Sequence, residues 1–203
     1  MRNTVEWRQS GKAGEENRFE GRRGLIVRAA RTCFGRRGVA KTSIADITRE
    51  VSITRELFYY YFNNKDLVVA AVMGTYIAEA RAALDYELGD NPEDMTREEK
   101  IRATLRALYS WLSTDDEAQS PMVEILRETG FEAKVVQRVA REMVQTLQSV
   151  GALGSQGMQE APFGEEPRSD GYQLAIAGAI SAMLSDRTVS EDMLLNALMS
   201  IFG

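Results

Sequence analysis

The 203-residue chain contains no histidine and a single cysteine, Cys33. The first absence removes Ser-His-Asp and Cys-His nucleophile systems, histidine metal sites and histidine pH switches together. The second leaves no intrachain disulfide and points to a reducing compartment, the cytoplasm. Four prolines and 16 glycines are too few for a fibrous or low-complexity chain. The N-terminal twenty residues lack the apolar core of a secretory signal. No unbroken apolar run approaches 18 residues, so no membrane partner is expected. Phosphate-loop and metal-ligand patterns are missing too, and neither a cofactor nor an enzymatic activity is expected.

What is present is charge, unevenly placed. Residues 1–65 hold 14 Lys+Arg against 7 Asp+Glu, a net of +7; residues 66–203 hold 11 against 23, a net of −12. A basic first third on an acidic remainder suggests a polyanion-binding head on a body with another task. With 44% hydrophobic residues, the chain has enough apolar material for a core.

The apolar spacing is helical throughout. Residues 1–18, polar and basic, read as a flexible arm. From Phe19, Leu25, Ile26, Ala29, Ala30, Cys33 and Phe34 trace one helix face, and Gly38 stands where a left-handed cap is wanted. Cys33 on that stripe reads as a small core residue. Ser43 and Asp46 fit a capping box, and Ile44, Ile47, Thr48 and Val51 form the buried side of the helix that follows. Thr54 caps a third helix over about 55–62, with Phe58 and Phe62 on one side. Asn64 caps a fourth, which runs to Leu88 and is stopped by GDNP. Thr96 and Glu99 open another to about Ser113, and Ser120-Pro121 another to about Glu128. An amphipathic stretch from Phe131 to Val150 is closed by Gly151. The Gly/Pro/acid segment 151–170 reads as a disordered loop. Two helices, 171–185 and 190–202, finish the chain, with Ser190 capping the last. About nine helices and no useful strand pattern make an all-α fold. It comprises an N-terminal three-helix helix-turn-helix head and a C-terminal helical bundle. The domains are 1–18, an arm; 19–66, the head; and 67–203, the body.

Residues 43–62, two short helices about a tight turn, have the organisation of a unit whose second helix enters the DNA major groove. The run GVAKTSIADI (38–47), then VSIT (51–54) and LFYYYFNNKDL (57–67), resembles the TetR family of bacterial transcriptional repressors. The resemblance covers residues 20–70. It implies a sequence-specific regulator of double-stranded DNA, acting as a homodimer on a palindromic operator and released by a small, apolar effector. It also implies residue roles. Thr42 and Ser43 approach phosphates, with Ala45 nearby where the family often has arginine. Thr54 precedes the reading residues Arg55, Glu56 and Leu57, which face base edges. Tyr59, Tyr60 and Tyr61 meet phosphates or thymine methyls, and Lys65 clamps a phosphate. Arg2, Arg8, Lys12, Arg18, Arg22 and Arg23 add phosphate contacts or stay solvated. Met73, Tyr76, Ile77 and Tyr109 fall on helices that line the effector cavity in similar proteins, as do Met122, Phe131, Val139 and Met143.

Residues 171–185 are apolar on almost every side, so this helix must be buried. Either it pairs with 190–202 against a second copy or it fills the chain's own core. Dimerisation, implied chiefly by the resemblance, would use Tyr172, Ile176, Ala179, Ile180 and Met183, with Leu194, Leu198 and Ile201. Two departures from the family's pattern, Ser52 for the turn glycine and Glu56 in the reading helix, motivate an alternative: a helical interaction module that binds no DNA.

Overall fold

A computed structural model describes the backbone of residues 6–113, 121–153, 169–185 and 189–202. Side chains are described for these residues except 6–20, 113, 121, 169–170, 191 and 201–202. Among the described residues the chain is all helical. Nine α-helices follow in order: α1 (Glu6–Arg37), α2 (Ile44–Glu50), α3 (Arg55–Tyr61), α4 (Lys65–Leu88), α5 (Arg97–Ser113), α6 (Pro121–Thr129), α7 (Glu132–Ser149), α8 (Ser169–Ser185) and α9 (Glu191–Phe202). A 3₁₀ turn, Pro92–Asp94, lies between α4 and α5. The chain divides into two compact units, Met1–Gly74 and Thr75–Gly203, and the boundary falls inside α4.

In the first unit, α1 packs on α2 and α2 on α3. Ile26, Ala30, Phe34, Ile47, Phe58 and Val68 are at most 1% exposed and form the core. In the second unit, α7 packs on α8, α5 on α9, α8 on α9 and α6 on α7. The helix ends follow from local chemistry. Gly38, Gly89, Gly130 and Gly151 all have positive φ; a residue without Cβ ends a helix there at least cost. The Thr96–Glu99 box closes reciprocally, with Thr96 N–H on Glu99 Oε2 at 2.6 Å and Glu99 N–H on Thr96 Oγ1 at 3.3 Å. Met193 N–H reaches Ser190 Oγ at 3.3 Å.

Three expectations meet a different structure. Helix α1 begins at Glu6, so residues 6–18, read as an arm, are helical. The segment is rich in Glu, Arg, Gln and Lys, contains no proline, and extends an already nucleated helix at little cost. Leu25, placed on the buried stripe, is 45% exposed, because the stripe turns inward from Ile26. Tyr172, Ile176, Ala179, Ile180, Met183, Leu194 and Leu198, expected at a dimer interface, are all buried within the single chain. They are the core between α8, α9 and the helices beneath them. The large side chains of α8 point inward, and the outward side is left to Leu174, Gly178, Ser181 and Ser185. The side chain of Ile201, the Ser120 cap and the segment 154–168 lie outside the described residues.

Helix α4 is long and apolar enough by length and composition to cross a membrane, with a mean hydropathy of 1.5 in its most apolar window. A core helix passes the same test, and Val68, Val72, Tyr76, Ala80 and Leu84 of α4 are buried.

Candidate nucleic-acid interface

The helix-turn-helix is built by three local devices. Ser43 caps α2: its Oγ accepts from Asp46 N–H at 3.2 Å, and its own N–H donates to Asp46 Oδ2 at 2.9 Å. The Ser43 hydroxyl, donating to Asp46 Oδ2 at 2.6 Å, and then the Ser43 N–H hold the Asp46 carboxyl down at about 2, with Arg37 and Arg49 adding smaller charge effects. The turn runs through Ser52 at φ 53°, a left-handed conformation that costs a non-glycine residue about 1–2 kcal/mol. Thr54 then caps α3, its Oγ1 accepting from Leu57 N–H at 3.2 Å.

Helix α3 is seven residues long, and its aromatic run divides by angle. Phe58 and Phe62 are 0% and 2% exposed and anchor the helix to the core. Their ring centroids lie 6.1 Å apart, and the Arg23 guanidinium sits 5.0 Å over the Phe62 ring. Tyr59 and Tyr60 are 49% and 71% exposed. Arg55 is exposed beside them. Tyr61 is half-buried, edge-on to Tyr60 at 5.1 Å.

Glu56 is exposed as well, but its carboxylate bends back. Hydrogen bonds from its own backbone N–H and from the Thr54 hydroxyl hold its pKa below the usual range. A carboxylate in the first turn also suits the helix dipole. It therefore stabilises the start of α3, which local spacing alone did not reveal.

Several expected contact residues are engaged elsewhere. Thr42 is 1% exposed, and its Oγ1 lies 2.7 Å from Gly38 O and 3.2 Å from Cys33 O. It ties the turn after α1 and presents no hydroxyl outward. Leu57 and Tyr61 line a cleft of about 110 Å³ with Arg22, Leu25, Ile26, Val51 and Ile53. Leu57 thus faces α1. Lys65 Nζ donates to Val39 O at 2.9 Å and to Thr42 O at 3.2 Å. Ala45 is half-buried, while Ser43 and Thr54 are exposed. Leu67 and Lys41 are exposed on the same unit and were not singled out from the sequence. Of the flanking cations, Arg36 pairs with Glu50 at 3.3 Å and Arg37 with Asp46 at 3.1 Å. These pairs stitch α1 to α2 and engage two of the head's cations within the protein. Cys33 is buried with its thiol pKa raised, first by burial and then by Glu50 and Asp46, which suits a core residue and not a nucleophile.

Residues 26–72 match the family model of bacterial regulatory proteins, tetR family. The match covers the helix-turn-helix of the head and the start of α4. Across 51 residues the chain is 43% identical to the transcriptional regulator TtgR of Pseudomonas putida, covering 25% of this chain and 24% of TtgR. An 84-residue stretch is 29% identical to the transcriptional regulator EthR of Mycobacterium tuberculosis, covering 41% of this chain and 38% of EthR. The chain thus spans well under half the length of either curated relative. Whole-chain likeness is seen with the RolR structure in complex with resorcinol: TM-score 0.61, 20% identity, 93% of this chain and 90% of RolR. A TetR-family transcriptional regulator from Pectobacterium atrosepticum follows at TM-score 0.53 and 20% identity, covering 91% of this chain and 92% of its own. At that identity the likeness is one of fold.

The body's expected pocket residues are buried or half-buried. Met73, Tyr76, Met122, Val139 and Met143 are buried to 3% exposure or less. Ile77, Tyr109 and Phe131 are half-buried. The Tyr109 hydroxyl donates to Val189 O at 2.6 Å, tying α5 to the segment before α9. Lys134 covers one face of the Phe131 ring at 5.2 Å. A cleft of about 150 Å³ lies among Val123, Leu126 and Arg127 of α6, Glu132 of α7, and Leu184 and Ser185 of α8. None of the eight expected residues lines it. Its signal in the sequence was the Gly130 break, which turns the chain between α6 and α7. Among the described residues no group of three or more His, Cys, Asp or Glu side chains forms a metal site.

Proposed function

We propose that the chain is a DNA-binding transcriptional regulator, a repressor that works as a homodimer in the cytoplasm and is released by a small molecule. The observation that carries the reading is the exposed face of α3. Arg55, Tyr59 and Tyr60 stand outward on a capped helix whose other side is locked by Phe58 and Phe62. Seven residues is too short for a helix to be stable alone; its exposure of two large aromatics makes sense if another surface covers them. Arginine can bond guanine O6 and N7 in a bidentate way, and tyrosine hydroxyls reach phosphates. Ser43, Ala45 and Thr54 lie at the starts of the two short helices, at the proposed backbone contact. Thr42 and Leu57 are left out of the contact set, and Glu56 is assigned to the α3 N-terminus in place of a base edge.

The dimer is proposed on the outward side of α8 and α9, where Leu174 and Met193 are 76% and 61% exposed. Gly178 and Ser181 continue the Leu174 stripe without charge. The effector is proposed to enter the body. Buried methionine and aromatic side chains suit an apolar ligand, whereas Arg127 and Glu132 suit polar groups on it.

Anisotropy titration of the purified protein with duplexes from its own upstream region tests the reading. Sub-micromolar binding that weakens with log salt is expected. Absence of binding at low salt would refute it and favour the interaction-module alternative.

A further inference from the structure

Lys65, the first residue of α4, reaches back across the whole helix-turn-helix. Its Nζ meets the carbonyls of Val39 and Thr42, 26 and 23 residues earlier. Both acceptors belong to the tight turn that follows α1. That turn is itself heavily constrained. Gly38 is left-handed, its N–H bonding Phe34 O at 2.8 Å. Thr42 N–H bonds Val39 O at 3.2 Å, and the Thr42 hydroxyl is buried on Gly38 O. Val39 and Thr42 are 7% and 1% exposed. The carbonyls of Val39 and Thr42 lie just past the C-terminal end of α1, where a cation is electrostatically favoured.

We propose that Lys65 is a positioning residue that closes the helix-turn-helix into a loop and holds α2 and α3 at a fixed angle for DNA. Its role is carried by main-chain carbonyls, not by a phosphate. A lysine has three N–H donors, and two are engaged inside the protein before any DNA arrives. The Ser43 cap begins one residue after the clamped Thr42 carbonyl, and α3 ends four residues before Lys65. One side chain thus ties the entry of the unit to its exit. Asn64 supports the arrangement by accepting from Leu67 N–H at 2.9 Å, which fixes the first turn of α4.

The binding arm of the test rests on the DNA-binding reading; the exchange arm does not. Hydrogen exchange is measured on the DNA-free wild type, on Lys65→Met, which keeps length and loses the donors, and on Lys65→Gln, which keeps one donating group. Amides of residues 43–62 are expected to exchange at least tenfold faster in Lys65→Met and to an intermediate degree in Lys65→Gln, which also serves if the Met variant fails to fold. On a duplex the wild type binds, Lys65→Met is expected to weaken affinity about fivefold with the slope of log affinity against log salt unchanged. Unaltered exchange in both variants overturns the proposal. So does a slope that becomes shallower by about 0.9, the signature of one lost phosphate contact. If the wild type binds no duplex, the function reading fails while the exchange result still decides the clamp.

Discussion

Helices α3 and α8 treat their apolar residues in opposite ways. Helix α3 has seven residues and leaves Tyr59 and Tyr60 largely in solvent. Helix α8 has 17, carries no charge from Gly171 to Ser185, and buries Tyr172, Ile176 and Ile180 to 1% exposure or less. The short aromatic helix displays two of its large groups, and the long apolar one hides most of its own. A helix held by two phenylalanines and a cap can afford an exposed face if that face has work to do. A helix without charge has no such option, and its large residues go to the nearest core. What α8 leaves outside is small, apart from Leu174.

Core truncation breaks the comparison most strongly. Phe58→Ala removes a fully buried ring and should cost about 3–5 kcal/mol, unfolding the head in a urea titration. Tyr60→Ala, two residues on, should change stability by no more than about 0.5 kcal/mol while weakening DNA binding about tenfold. Equal stability losses for the two would mean that the aromatics are all packing. In the body, Ile176→Ala should cost about 2–5 kcal/mol at every protein concentration. Leu174→Glu should leave the monomer folded and shift sedimentation toward it; a dimer that survives this change would move the interface off α8.

Smaller effects sharpen the same contrast. Ser52→Gly relieves about 1–2 kcal/mol of left-handed strain against about 0.4–1 kcal/mol of added chain entropy. A net gain of about 0.5–1 kcal/mol is therefore expected in thermal unfolding. A loss would show that the serine side chain matters to the turn. The mildest test is acid. Asp46 titrates at about 2 in the folded chain against an ordinary 3.8. The unfolded chain therefore takes up its proton first as pH falls, and the capping contribution, complete above about 3.8, is lost on the way down to about 2. Asp46→Asn should flatten the acid limb of a pH–stability curve in that window.

These helices also explain which parts of the account were legible beforehand. Caps and breaks are local, so Ser43–Asp46, Thr54, Thr96–Glu99, Gly38 and Gly151 could be placed from spacing alone. The same holds for Phe58 and Phe62, whose i, i+4 relation fixes one side of α3. Departures arise where the partner lies far along the chain. Lys65 looked available for DNA because nothing nearby engages it; the carbonyls that pair with it are more than 20 residues away. The large residues of α8 fitted a second copy or the chain's own helices equally well, since a helix apolar all round carries no directional signal. Helix α1 extends to Glu6 through a polar segment that shows no apolar period at all.

The central claim is that the outward face of α3 reads DNA. Selection from a random duplex library, run with the wild type and with Arg55→Ala, tests it most directly. The account predicts enrichment of a twofold-symmetric sequence by the wild type. Arg55→Ala should lose about 1–3 kcal/mol of preference at one base position per half-site and keep the others. No enrichment by the wild type, or an identical consensus from the variant, would contradict it.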